Sequence, residues 1–336
     1  MVATVSYVGS VSRHLQVFPN PNGQVALAPN SYGSPSPNAL LPFPDFGGVA
    51  YTAYDGSSSY NSLQAKVERR FSNGLSYLAS YTYSHSLDNA PTPLGSTGDL
   101  GYRGTNIIPI GLDYANSPFD VRHRFTFNAN YQLPFGKGRK YLNNTNRALD
   151  YLIGGWSTSQ TYRSQTGEPF TVYTSNISTP SGATALATRI ADPFKGGGTP
   201  DPSYSGSDSF TCPTKVRTVE NWYNPCSFRN PKVLTSGTVS GIAALPYLGS
   251  PRDQIYGPGY VRIDSSLFKS FPTFHEQNLE FRADVFNLLN TPAYASPGYS
   301  GNIGIGPNGG QITGARFFQS FTPDSRFFQF SLKYNF

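Results

Sequence analysis

Nowhere in this chain do apolar residues run for the roughly 18 positions that a membrane-spanning helix requires. The opening MVATVSYVGS has neither the charged nor the apolar region of a signal peptide, so no export signal is expected within it. Charge is scarce. Asp, Glu, Lys and Arg make up 13% of the 336 residues, against about 25% in a typical globular domain. The net charge of +6 is scattered, without the clustered Lys and Arg of a nucleic-acid groove, and excludes a nucleic-acid partner. Cysteine occurs twice, at Cys212 and Cys226, in a spacing that fits no common metal motif. A surface disulfide in an oxidising compartment is the expectation for that pair.

Glycine, proline and aromatics are what the chain has instead: 34 Gly, 28 Pro and 15% aromatic residues. Long helices are excluded by that punctuation, and many turns are implied. Between the turns runs a period of two. In FTFNANYQL, Phe125, Phe127, Ala129, Tyr131 and Leu133 share one face, while Thr126, Asn128, Asn130 and Gln132 share the other. LSYLASYTYSH sets Leu75, Tyr77, Ala79, Tyr81 and Tyr83 against Ser76, Ser80, Thr82 and Ser84, with Leu78 as the exception. NLEFRADVF sets Leu279, Phe281, Ala283 and Val285 against Glu280, Arg282 and Asp284. Weaker alternation at 3–9, 60–71, 156–165 and 260–271, with the terminal RFFQFSLKYNF, brings the count to about eight strands. Segments of about ten residues are the length with which a tilted strand crosses a bilayer.

The connections alternate in length. SNG at 72–74 and PTFH at 272–275 are tight, and a medium link containing LPFGKGRKY covers about 134–155. Long Gly-, Pro-, Ser- and Asn-rich segments cover about 10–59, 87–120, 166–259 and 289–325. Short turns at one end and long loops at the other are the pattern of an outer-membrane barrel. The polar face is mostly Ser, Thr, Asn and Gln rather than the Lys and Glu of a secreted sandwich. The expected fold is therefore all-β: an antiparallel, up-and-down transmembrane β-barrel with long extracellular loops, apolar residues toward lipid and polar residues toward the lumen.

The pieces YNSLQAKVERRFSNGLSYLASYTYSHSLDNA, DVRHRFTFNANYQLPFGKGRK, GGWSTSQTYRSQTGEPF, GYVRIDSSLFKSFPTFHEQNLEFRADVFNLLNTP and FFQFSLKYNF together resemble the C-terminal barrel of TonB-dependent receptors. Within those, they are most similar to Oar-like, carboxypeptidase-regulatory-like domain-containing outer-membrane proteins. The resemblance implies a 22-stranded barrel with a plug, a TonB box and a signal peptide, none of which is expected within residues 1–336. It implies a single partial barrel domain, about the last eight strands of a larger one, with TonB as a partner only through the missing N-terminal region. In intact form such a receptor takes up a large solute, whose identity the sequence leaves open. The alternative is a surface-display or adhesion barrel whose long loops bind partners without transport; a complete eight-stranded barrel is a third possibility.

The same resemblance gives the terminal strand a role. Phe328, Phe330, Leu332, Tyr334 and Phe336 resemble the assembly signal read by the barrel-assembly machinery, so that machinery and outer-membrane lipid are the expected partners. No catalytic, cofactor or metal site is expected. GIGPNG at 304–309 matches a dinucleotide fingerprint literally, but Pro307 interrupts it and no helix follows. GGG at 196–198 lacks the Lys and Ser/Thr of a phosphate loop. His14, His85, His123 and His275 are too far apart for a metal motif. Glu68, Asp264, Glu280 and Asp284 fall on the polar face beside Arg or Lys, as structural lumen pairs rather than catalysts. A turn centred on Thr273 predicts a ladder in which Asp264 faces Arg282 and Arg262 faces Asp284. Between the cysteines, Trp222 and Tyr223 read equally as an exposed, ligand-touching loop tip or as part of a loop stapled against proteolysis.

Overall fold

A computed structural model describes residues 1–18, 22, 43, 45–46, 49, 51–90, 110–178, 184–202, 210–230, 249–273, 277–300, 303–316 and 325–336. Eight long strands form one antiparallel meander: β1 (Val2–Val17), β2 (Ala53–Ser72), β3 (Leu75–Asp88), β4 (His123–Gln132), β5 (Ser157–Gln165), β6 (Tyr260–Pro272), β7 (Asn278–Phe286) and β8 (Phe327–Asn335). Each pairs with its sequence neighbours, and a two-residue strand, Ala115–Asn116, adds to the end of β3. The sheet is open: among the described residues β1 and β8 are its edges.

Register carries the two faces across the whole sheet. The pairs Ser6–Gln64, Gln64–Thr82, Thr82–Arg124, Thr126–Arg163, Arg163–Arg262, Ser266–Asp284 and Asp284–Gln329 set polar positions beside one another from β1 to β8. Since successive side chains point to opposite faces, most aromatic and aliphatic positions form the other face, to which β5 adds the polar Thr158, Gln160 and Ser164. Val5, Tyr7, Leu63, Tyr81, Leu267 and Phe330 on that face are all more than a third exposed. An exposed apolar surface of this size marks a face that meets something other than water.

Three of the connections lie at one end: residues 73–74, 133–156 and 273–277. Asn73 and Gly74 have φ of 53° and 80°, the two left-handed residues of a type I′ hairpin turn, whose twist matches that of its strands. An added Cβ at Gly74 would meet nothing closer than 3.4 Å, so the penalty there is conformational rather than steric. Gly74→Ala is expected to lower stability by about 1–2 kcal/mol, read as an earlier denaturation midpoint in urea with the slope unchanged.

Two expectations need correction. β1 and β2 extend well beyond 3–9 and 60–71, and pair as far as Val17 with Ala53. Residues 10–17 and 53–59 lack clean alternation: register shifts follow Arg13 and Leu15, with His14 at φ 58° between them, and the far end closes on the buried Val17 and Ala53. Secondly, the β6–β7 turn centres on residue 275 rather than on Thr273: Pro272 pairs with Asn278, and Thr273 N–H donates to Gln277 O at 3.0 Å. This register sets Phe271 against Leu279 on the apolar face.

Candidate functional site

The polar face is the first candidate surface. Among the described residues its close ion pairs run along strands rather than across them. Arg262 Nε donates to Asp264 at 2.9 Å and Arg282 Nε donates to Asp284 at 2.9 Å, and Lys66 meets Glu68 at 2.9 Å. The predicted cross-strand ladder is thus corrected. Asp264 stands opposite Thr161 rather than Arg282, and Arg282 stands between Phe268 and Ser331. All four charges keep the polar face, because the register moved by an even number of residues. The spacing basic-x-acidic, written as KVE, RID and RAD in the sequence, is the signal that identifies them: residues two apart on a strand share a face, and a long basic chain reaches back along it. Asp264 also accepts from Asn287 N–H at 2.9 Å, and Asp284 accepts from Ser266 Oγ at 2.5 Å. Glu280 and Lys333 stand directly opposite one another.

Phe328, Phe330, Leu332 and Tyr334 lie on the apolar face of the edge strand β8, with the Phe330 ring stacked 6.5 Å from Phe281; Phe336 follows the strand's end. His85 Nε2 lies 2.9 Å from Asn116 Oδ1 and 2.8 Å from Arg122, while His123 Nδ1 lies 2.7 Å from the Tyr81 hydroxyl. No group of three or more His, Cys, Asp or Glu side chains is placed to hold a metal among the described residues. His275 lies outside them.

The second candidate surface was hidden in the long loops. Phe170, Val172, Ala187, Tyr223, Phe228, Ile255 and Ile305 form the buried apolar cluster, with Phe194, Trp222 and Ile303 packed against it. None of these belongs to a long strand. Short ladders hold the module: Pro169–Phe170 with Ile255–Tyr256, Thr188–Arg189 with Phe228–Arg229, and Tyr173–Ser178 with Thr184–Leu186. Tyr223 is wholly buried, donates its hydroxyl to Gly304 O at 2.7 Å, and has its phenol pKa raised by that burial. Gly304–Gly310 wraps this ring, and Gly310 at φ 87° takes the Trp222 N–H on its carbonyl at 2.8 Å. Tyr223 is therefore core, not an exposed loop tip.

Cys212 and Cys226 are disulfide-bonded and both buried in this module. Closing a loop of this length stabilises it by about 3 kcal/mol on the chain-entropy model. Cysteine labelling of intact cells is expected to fail without reductant and to succeed after it. Labelling before reduction would exclude the bridge; because both thiols are buried, failure to label cells reduced in urea, rather than reduced alone, would exclude an extracellular position.

A buried polar network fastens the module to the sheet. Arg252, 2% exposed, donates to the carboxylate and carbonyl of Asp88 at the end of β3, to Asp253 Oδ2 at 2.7 Å, and to the carbonyls of Asp113 and Asn116 at 3.2 Å each. Burial lifts the Asp253 carboxyl to a pKa of about 6, with Arg252 and the Thr171 hydroxyl pulling the other way. Nearby, Tyr256 donates to Asp120 at 2.9 Å and Asp120 takes the Ser86 N–H at 2.8 Å; burial raises the Tyr256 phenol above its ordinary pKa. Two cavities flank this junction. One of about 340 Å³ opens on the polar face between Tyr60, Gln64, Thr82 and Arg124. The other, about 760 Å³, is walled by Phe194, Trp222, Tyr256 and Tyr294, with Arg122 and Arg217 at its edge. The Arg217 guanidinium lies 4.4 Å from the centre of the Phe194 ring. Aromatic faces with stacked guanidinium groups give this cavity a lining that is both apolar and cationic.

The profile of the family described as "Outer membrane beta barrel domain" matches residues 1–329. Among solved structures, the chain is similar to the outer membrane transporter YddB from Escherichia coli, at 12% identity and a TM-score of 0.38; the similarity covers 98% of this chain and 29% of the transporter. The chain thus spans less than a third of that transporter's length. No curated protein matches it.

Proposed function

The chain belongs to the outer membrane β-barrel domain family and resides in the outer membrane, and from that premise we propose that its eight long strands are part of a larger barrel of the TonB-dependent, Oar-like type, which in intact form takes up a large solute. The observation that carries this reading is the open order of the sheet, with β1 and β8 at opposite edges. A complete eight-stranded barrel would pair its first strand with its last. On this reading the tight turns at 73–74 and 273–277 lie in the periplasm, the loop module lies outside the cell, and the polar face lines the lumen. The exposed edges await further strands, and the apolar alternation of β8 serves the barrel-assembly machinery.

Paired cysteines on the two edges, beginning with Ser6→Cys and Ser331→Cys, test the partial barrel. Cross-links between copies, and none within a monomer, are expected; efficient closure within one monomer would establish the small barrel instead. A second reading, display or adhesion without transport, draws on the packed, disulfide-stapled loop module, which is built to present a fixed surface. Energy dependence separates the two. Cells carrying the intact barrel are expected to accumulate labelled solute from an oligosaccharide and peptide mixture only while the inner membrane is energised. Binding that is indifferent to an uncoupler would favour display.

A further inference from the structure

Residues 133–156, which join β4 to β5, are far more elaborate than the hairpin turns beside them. A short helix, α1 (Arg147–Ile153), is capped by Asn146, whose Oδ1 accepts from Leu149 N–H at 2.8 Å. Ahead of it the chain doubles back: Gly136 N–H donates to Tyr141 O at 3.0 Å, and Tyr141 N–H donates to Pro134 O at 2.9 Å. Asp150, the lone acidic residue of this stretch, accepts from Lys137 N–H at 2.5 Å. This is a hydrogen-bonded scaffold, yet it holds large apolar side chains in the open. Phe135, Tyr141, Leu142, Leu149, Tyr151 and Leu152 are all at least 40% exposed, and Leu152 reaches 65%. Leu142 is even kept in the left-handed region, at φ 57°, where a branched side chain is disfavoured.

Two observations say what covers them. The connection folds back onto the apolar face of the sheet: the Tyr151 ring is 5.3 Å from Phe271, Trp156 is 6.3 Å from Phe271 and 6.1 Å from Phe281, and Lys269 donates to Tyr151 O. Its exposed side chains thus continue the band formed by the apolar face. The same stretch carries Lys137, Arg139, Lys140 and Arg147, all exposed, against the one tied carboxylate. Apolar residues beside a cluster of cations at the edge of a lipid-facing surface match an interface of acyl chains beneath anionic headgroups.

We infer that residues 133–156 form an anchor for acidic phospholipid of the leaflet at the tight-turn end, with Tyr151 and Leu152 entering the acyl boundary and Lys137, Arg139 and Lys140 holding the headgroup phosphates. The inference rests on the reading of the apolar face as lipid-facing, so its test reads both. The full chain is folded into vesicles of phosphatidylcholine, with or without phosphatidylglycerol. An environment-sensitive dye is placed at Leu152→Cys or, as the reference on β7, at Ala283→Cys; the native cysteines are protected by their bridge. The Ala283→Cys dye is expected to be quenched by brominated acyl chains in both vesicles. The Leu152→Cys dye is expected to be shielded from aqueous acrylamide only where phosphatidylglycerol is present. Replacing Lys137, Arg139 and Lys140 together by Gln is expected to weaken this docking on the order of a hundredfold, at roughly fivefold per cation near an anionic surface, and to leave the Ala283→Cys signal unchanged. A Leu152→Cys dye open to acrylamide in both vesicles, beside a lipid-quenched Ala283→Cys dye, would overturn the anchor alone. Equal shielding in both would overturn its preference for acidic lipid. An unquenched Ala283→Cys dye would overturn the lipid-facing reading and the anchor with it.

Discussion

Replacing Arg252 by methionine is expected to destabilise the loop module by about 3–5 kcal/mol, the loss seen when one partner of a buried ion network is removed. The guanidinium joins its own segment, through Asp253, to two others: Asp88 at the end of β3 and the stretch from Asp113 to Asn116. Methionine would fill much of the volume, but two buried carboxylates would lose their counter-charge. Trp222 reports the outcome, since its indole N–H is bonded to Tyr256 O at 2.8 Å within the module. Its fluorescence is expected to change at a lower urea concentration in the variant while the far-ultraviolet signal of the sheet persists. Acidification gives the mechanism a second reading. Burial has raised the Asp253 carboxyl from 3.8 to about 6, so the folded state favours its neutral form. Its stabilising contribution is complete below about pH 4 and is lost as pH rises through 6. The deficit of Arg252→Met is therefore expected to be largest at neutral pH and to shrink as pH falls below about 6. A deficit independent of pH would assign the loss to packing rather than to unpaired charge. Replacing Arg252, Asp88 and Asp253 together by apolar residues is expected to recover most of the stability, because no buried charge is then left alone.

The spanning strands were legible because lipid on one side and water on the other impose a strict period of two. FTFNANYQL states both faces of β4 without ambiguity, and the hairpin at Asn73–Gly74 announces itself by residues that tolerate positive φ. Legibility ends where that two-sided regime ends. Residues 10–17 and 53–59 pair as strands, but register shifts after Arg13 and Leu15 and the burial of Val17 and Ala53 break the period of two, so the pattern does not mark them. The loop module was invisible for a related reason. Its core is assembled from single residues such as Val172, Tyr223, Ile255 and Ile305, contributed by turns with no periodicity of their own. Register at the β6–β7 hairpin failed by four residues because parity constrains the faces but not the length of the turn. Arg262, Asp264, Arg282 and Asp284 satisfy the polar face at either register. Pairing along the strand frees them from needing any particular partner across it.

Ala129→Arg and Asn128→Arg, adjacent changes near the middle of β4, are expected to have opposite consequences. Ala129 shares its face with Phe127 and Tyr131 and is paired with Tyr77 and Gln160; Asn128 is exposed on the other face, paired with Leu78 and Thr161. With lipid on the first face, an arginine there loses about 2–4 kcal/mol near the bilayer midplane. On the second face the same arginine enters a surface that already holds Arg124 and Arg163 in the neighbouring rows, and stability is expected to change little. Folding into vesicles in a urea series measures both, and a second strand makes the result independent of local packing. Ala79 on β3 is paired with Phe127, and Ser80 is paired with Thr126, so Ala79→Arg is expected to follow Ala129→Arg, and Ser80→Arg to follow Asn128→Arg. Equal losses at all four positions would mean that neither face meets lipid, and a reversed pattern would turn the barrel inside out. The expected pattern has a functional corollary. Asn128→Arg and Ser80→Arg add positive charge to the lumen while the strand ladder stays intact, so they are expected to alter the ion selectivity of the assembled barrel in planar bilayers, whereas variants on the apolar face reduce only the number of barrels that assemble.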